Sequence, residues 1–328
     1  MRRREFIAGL GGAGVAWPVG AKAQQRTAPV VGFLSAVSPD GFGERTRGFR
    51  QGLKEAGFSE GENVLIDYRW ADNQLDRLPG LAAELVRNRV AVIVATGGTT
   101  PAIAAKAATA TISIVFTVPE DPVTLGLVAT LSRPGGNVTG INLFIGELMS
   151  KRLELFREIV PGIARVAVFV NSANPARAES QVREAESAGA ALKLQVQIFK
   201  VASANEISAA FATLAKDRPD ALFVSPDPFF IGRRAQLATQ AARHVIPTSF
   251  STRDFPESGG LMSYGTNIID AYRQAGVYTG QVLKGAKPAD MPVVQAAKFE
   301  LIINIETARM LGLAIPSSLL ARADEVIE

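Results

Sequence analysis

The chain has 328 residues, 47% of them apolar and 20% charged, a composition that suits a soluble globular protein and excludes extensive disorder. It contains no cysteine, which excludes disulfides, thiolate metal sites, cysteine nucleophiles and lipid attachment through an N-terminal cysteine; with His244 as its one histidine, a multi-histidine metal site is excluded too. The formal charge of +4 owes most of its excess to the first 23 residues, where Arg2, Arg3, Arg4 and Lys22 face only Glu5; the remainder carries 31 basic and 30 acidic residues and gives no electrostatic reason to expect nucleic acid.

Residues 1–23 read as a cleaved export signal. A positive start, a weakly apolar run over Ile7–Val19 and the small-residue site Ala21-Lys22-Ala23 follow in the expected order. Arg3-Arg4-Glu5-Phe6-Ile7 is similar to a twin-arginine signal. The run is about 13 residues, too short to span a bilayer. The G-x-G-x-x-G match at Gly9–Gly14 has no strand before it and carries no dinucleotide reading.

The mature chain opens with a strand at Val30–Leu34 and a turn at Ser38–Gly41. A helix follows, with Phe42, Phe49, Leu53 and Ala56 at helical spacing and Gly57 as its stop. Further strands are expected at Val64–Tyr68, from Ala91, from Ile112 and at Val138–Ile141. The helices expected between them are Leu78–Val86, a run after Thr100-Pro101, and Val123–Leu131. After a helix around Glu147–Ile159 the spacing restarts, with strands beginning at Val166, Leu194 and Ala221, then Ile246–Phe250 and Leu261–Tyr264. Helices at Ile268–Leu283 and Ile305–Leu311 and a strand at Phe299–Ile303 form the tail.

Two similar wound units in tandem predict an α/β fold of two doubly wound parallel-sheet lobes, with a hinge and an interlobe cleft. The boundaries expected are 24–143 plus about 267–294 for the first lobe, and 144–266 plus about 295–328 for the second.

Four apolar runs end in a short polar residue followed by proline: Thr100-Pro101, Asp121-Pro122, Asn174-Pro175 and Asp227-Pro228. Such pairs suit a helix start, because the side chain caps exposed amides and proline's missing N–H would have no partner there. Any one pair needs nothing more than a cap to explain it; the recurrence predicts loops gathered along the carboxyl edges of the sheets, where open α/β sheets bind ligands. Candidate ligand-binding residues are Ser35, Gly97, Gly98, Thr99, Thr117, Asp121, Asn171, Asn174, Asp227, Phe229 and Tyr264. The amides of Gly97–Thr99 suit a carboxylate. Asp121 or Asp227 suits an ammonium group, and Phe229, Phe230 and Tyr264 suit an apolar or aromatic portion. His244 reads as a packing or capping residue. No G-x-S-x-G elbow, P-loop or H-E-x-x-H is present, so no cofactor and no enzymatic reaction is expected.

The chain resembles the periplasmic substrate-binding proteins of ABC transporters, in the branch with tryptophan- and tyrosine-type components. The residues that carry the likeness include Val30–Ser35, Leu78–Val86, Val92–Gly98 and Asp121-Pro122-Val123. Arg133-Pro-Gly-Gly-Asn-Val-Thr-Gly140, Ile315-Pro316 and Ala323–Ile327 add the most specific segments. The resemblance implies a type I periplasmic-binding fold and a monomer that closes on a small ligand and docks on a membrane permease with its ATPase. It carries ligand contact over to Ser35, Gly98, Thr99, Asp121, Asn174 and Asp227. The alternatives are a sensory input to a receptor, and an exported α/β enzyme using Glu120, Asp121 and Asp227 as acid and base.

Overall fold

A computed structural model describes residues 28–328 apart from Gly41, 144–147 and Asn174. The expected export signal and Asn174 lie outside the described residues. The first half runs β1 (Val30–Ser35), α1 (Gly43–Glu55), β2 (Leu65–Trp70), α2 (Leu78–Arg87), β3 (Val92–Thr96), α3 (Thr99–Ala108), β4 (Ser113–Val118) and β5 (Val138–Asn142). The second half begins with α4 (Met149–Ile159), β6 (Arg165–Asn171), α5 (Pro175–Leu192), β7 (Gln195–Val201), α6 (Ala204–Asp217) and β8 (Ala221–Val224). It continues with α7 (Pro228–Ile231), α8 (Arg234–Arg243), β9 (Thr248–Phe250) and β10 (Met262–Thr266). The tail holds α9 (Ile268–Leu283), β11 (Val294–Gln295), β12 (Phe299–Asn304), α10 (Ile305–Met310), α11 (Ser317–Leu320) and β13 (Glu325–Ile327).

Two sheets result, with strand orders β11-β5-β4-β3-β1-β2 and β13-β12-β10-β9-β8-β6-β7. Every pairing between these strands is parallel except β10 with β12. The central strands β3, β5 and β8 are buried along their whole length, which is why they read as unbroken apolar runs. Helices cover both faces of each sheet, giving the two parallel-sheet α/β lobes expected.

The chain passes between the sheets three times, after β5, after β10 and after β11. These passes are tied together. The Thr266 hydroxyl donates to the Leu143 carbonyl, and the Asn267 N–H donates to that of Lys298 at 2.8 Å. The Ala296 N–H reaches the Asn142 carbonyl, also at 2.8 Å. Glycines bring α9 back onto α1. A Cβ on Gly52 would stand 1.8 Å from the Arg273 carbonyl oxygen, and one on Gly276 would stand 2.1 Å from that of Phe49. This contact fixes the position of the α1 and α9 side chains that face the cleft.

Three expectations need correction. Residues Val123–Leu131 form turns rather than a helix: the Asp121 carboxylate accepts from the Val123 N–H at 2.9 Å, and Gly126 turns the chain away at φ +65°. Leu127 and Val128 are buried all the same, so the apolar spacing there anchors a loop. Thr100 is not the cap of α3, which starts at Thr99 behind Gly98 and takes Pro101 inside its first turn. Strands β11 and β13 have no counterpart in the sequence reading. Asp227 does cap its helix, accepting from the Phe229 N–H at 2.8 Å. His244 ends α8 and stacks on Phe211. Among the described residues no helix is long and apolar enough to cross a membrane.

Two measurements check this packing. Gly52→Ala forces a methyl group into backbone, and urea unfolding should show a loss of about 2–3 kcal/mol. Glu300, on β12 beside the crossings, accepts from Asn267 at 2.9 Å, and burial pushes its carboxyl from 4.5 up to about 7 against the pull of Arg253. The folded chain therefore holds a proton that the unfolded chain releases, and stability falls as pH rises from 4.5 towards 7. Glu300→Gln should raise Tm above the wild type at pH 8, with the gap shrinking towards pH 5.

Candidate functional site

The strand exits of the two sheets face each other across a cavity of about 100 Å³. One water needs roughly 10–15 Å³ on the same measure, so the space suits a small molecule. The first lobe contributes the segment after β1 with Asp40 and Phe42, Arg45 of α1, Gly97 and Gly98 after β3, and Thr117 and Pro119 of the β4 exit. Ile268 and Tyr272 of α9 complete that side. The second lobe contributes Arg177 of α5, Pro226-Asp227-Pro228 after β8, Ile231, Arg234, and Ser251 after β9. Apolar side chains make up much of the wall, with charged groups at separate points.

Gly97 and Gly98 let the β3 exit approach so closely. Their φ values are +77° and +122°, a region that L side chains adopt only with strain. A Cβ on Gly97 would stand 2.8 Å from the Ser35 hydroxyl oxygen, and one on Gly98 would meet Pro228 of the opposite lobe at 3.6 Å. A single added methyl group here would bring the two lobes into contact.

Two ion pairs cross the cleft. Arg45 of the first lobe donates through both Nη atoms to Asp254 of the second, at 3.0 and 2.7 Å. Arg177 of the second lobe pairs with Glu120 of the first and lies 3.8 Å from Asp227. It also donates to the Pro226 carbonyl at 3.1 and 2.7 Å. Burial works against the charge of Arg45, Asp254 and Arg177. For Arg45 the Asp254 carboxylate more than offsets it, leaving the guanidinium more basic than usual, and Arg45 in turn holds Asp254 below the usual carboxylate range. For Arg177 burial prevails and lowers its pKa despite Asp227.

Burial pushes the Tyr272 phenol above its ordinary value, so it stays protonated, with its hydroxyl towards Thr117 and Thr96. Thr117 is 1% exposed, and its hydroxyl makes no hydrogen bond of good geometry within the protein. The buried Ser35 and Thr96 hydroxyls behind the wall are in the same position. A protonated phenol and buried hydroxyls are the kind of convergent polar groups that orient a ligand in an apolar site. Among the described residues no group of three or more His, Asp or Glu could hold a metal ion.

Of the residues singled out from sequence, the cavity wall brings together Gly97, Gly98, Thr117 and Asp227. Ser35 lies beneath Gly97. Asn171 stands behind Asp227, donating to it at 3.0 Å. Thr99 is turned to Glu120, and Asp121 is exposed and holds its turn. Phe229 packs on Phe230 and under Arg233; Tyr264 packs on the second lobe's core beside Phe299. Arg45, Arg177, Arg234 and Tyr272 were missed. Arg45 had a signal: it sits at helical spacing between Phe42 and Phe49, on the face that must be buried.

A cavity shared by two lobes, with a phenol, buried hydroxyls and cross-cleft charges on its wall, has the make-up of a small-solute site. The family comparison agrees: the family described as ABC transporter substrate binding protein matches residues 30–327, and the chain belongs to that family of binding proteins, not to one of enzymes. It is 27% identical over 283 residues to a tyrosine-binding protein of Clostridioides difficile, covering 86% of this chain and 81% of that one. Among solved structures, an ABC domain in complex with L-Trp from Streptococcus pneumoniae is 28% identical with a TM-score of 0.82, over 92% of this chain and all of that one. A conserved domain protein of Vibrio cholerae gives the same score at 27% identity and the same coverage. A ligand-free, open substrate-binding protein from Clostridium difficile gives a TM-score of only 0.69 at 26% identity, over 91% of this chain and 99% of that one. At nearly equal identity, the likeness is greater to the tryptophan complex than to the open form. A leucine-binding protein of Thermotoga maritima, 15% identical with a TM-score of 0.55 over 78% of this chain and 81% of that one, shares the fold.

Asp254→Asn leaves Arg45 buried without its carboxylate, a change that costs up to about 3–5 kcal/mol where a buried pair is broken. We expect faster ligand dissociation in stopped-flow experiments with little change in association rate. Because the Asp254 pKa is depressed, the pair persists at neutral pH and is lost only as pH falls through that lowered value. Small-angle scattering of the ligand-free protein should therefore show an opened particle only in acid, below the ordinary carboxylate range.

Proposed function

We propose that this protein is exported, captures a small carboxylate-bearing molecule of the aromatic amino-acid kind between its two lobes, and delivers it to the permease and ATPase of an ABC importer. It works as a monomer outside the cytoplasm. The observation that carries this reading is the cavity itself, with its wall drawn from both lobes and the lobes joined across it by Arg45–Asp254 and Arg177–Glu120. Closure about a hinge sets the ligand's contribution: a ligand favours the closed form only by its differential affinity for it.

The chemistry of the wall supports an amphipathic solute. Phe42, Ile231, Ile268 and neighbouring prolines accept an apolar or aromatic portion; Gly97 and Gly98, Thr117 and Tyr272 offer hydrogen-bonding groups to a polar end. The relatives named for tyrosine and solved with L-Trp support the same class of ligand. The terminal sequence with its arginine pair, apolar run and Ala21-Lys22-Ala23 site supports export with cleavage after Ala23.

Native mass spectrometry of the gently purified protein should show a bound small molecule. Calorimetry against a panel of aromatic and aliphatic amino acids should give micromolar or tighter binding for at least one. Binding confined to neutral sugars or cations would overturn the reading.

A further inference from the structure

We propose that Arg234 selects for a ligand that bears a carboxylate by taking that group in a charge-assisted hydrogen bond; this deepens, and rests on, the reading of the cleft as a site for carboxylate-bearing solutes. Three arginines line the cavity: Arg45, Arg177 and Arg234. The first two are engaged by carboxylates of the opposite lobe. Arg234 differs. It donates from Nη1 to the Ile231 carbonyl at 3.2 Å, and among the described residues no carboxylate forms an ion pair with it.

The local structure adds to this. Arg234 is the first residue of α8, a helix of ten residues whose cap position is Arg233, with no side-chain cap and no acid in its first turn. Positive charge at the positive end of a helix is unfavourable unless an anion sits there. Arg233 is turned away, with its guanidinium 4.2 Å from the Phe229 ring centre, so of the two it is Arg234 that reaches the cavity. Asp227, the wall carboxylate on the same lobe, is already held by Asn171, the Phe229 N–H and Arg177, and the other, Asp40, is exposed on the first lobe. On the facing wall the buried Thr117 hydroxyl has the Tyr272 phenol as its neighbour and makes no hydrogen bond of good geometry within the protein. A carboxylate of the ligand thus meets one guanidinium that no carboxylate of the described residues pairs with, and a bond of this kind is strong because its donor is charged.

The test compares acids with their primary amides, which differ in charge at one group: L-tryptophan with L-tryptophanamide, and L-tyrosine with L-tyrosinamide. Calorimetry on the wild type should show the acid binding at least about tenfold tighter than its amide. Arg234→Gln should weaken the acid by about tenfold to a hundredfold while leaving the amide within about twofold, and Arg234→Lys should recover part of the loss. Equal weakening of acid and amide would assign Arg234 a structural role and overturn the proposal, as would unchanged binding of the acid. Equal wild-type affinity for acid and amide overturns it without any variant. If the wild type binds none of the four, the amino-acid reading falls and takes this proposal with it; a wild type that binds while Arg234→Gln is indifferent sinks the proposal alone.

Discussion

A guanidinium buried against apolar walls must have its counter-charge close by, because desolvating an unpaired ion costs several kcal/mol. In this protein that requirement is met across a gap. Arg45 and its carboxylate Asp254 belong to different lobes, and so do Arg177 and Glu120, with the donors on opposite sides. Arg45 draws its carboxylate from the other lobe, whereas Arg177 also has Asp227 of its own lobe at 3.8 Å. The charge arrangement therefore favours the approach of the lobes, and the apolar wall that approach encloses gains its affinity for solute from the same event. Charge pairing holds the halves in register, while the cavity between them remains free for a guest.

The scaffold makes this economical. The first five strands of each half take the same order, β5-β4-β3-β1-β2 and β10-β9-β8-β6-β7, so the loops after equivalent strands arrive at equivalent edges, and two edges set face to face form a wall on each side. The close glycine-to-backbone contact of α1 with α9 ties a helix from the start of the chain to one from its last quarter. Arg45 and Tyr272, far apart in sequence, come to the same wall for that reason.

Much of this was legible in the amino-acid order. Runs such as Val92–Thr96 and Ala221–Val224 lack polar alternation because both faces are covered, and that pattern survives without knowledge of neighbours. Strands β11 and β13 were not legible, since two- and three-residue edges take their conformation from the partner they pair with. The Val123–Leu131 segment misled because burying a loop calls for apolar residues as a helix does, and Gly126 outweighed them. At the site, the glycine and aspartate of the strand exits were marked by local turn chemistry. Arg177 and Arg234 were not, because a surface arginine and a cleft arginine look alike until the partner lobe is in place. Asp121 shows the converse: a capping residue with the right chemistry, used up by the turn it builds.

The three chain passes between the sheets have a mechanical meaning. A single tether would let the halves twist and slide as well as gape. Three neighbouring strands, stitched by the Thr266 to Leu143 and Asn267 to Lys298 contacts, resist torsion and leave bending about one line as the soft mode. The two edges of the molecule then return to the same alignment on every cycle, so that a partner reading both edges at once meets one well-defined outline when the protein is shut and a different one when it gapes.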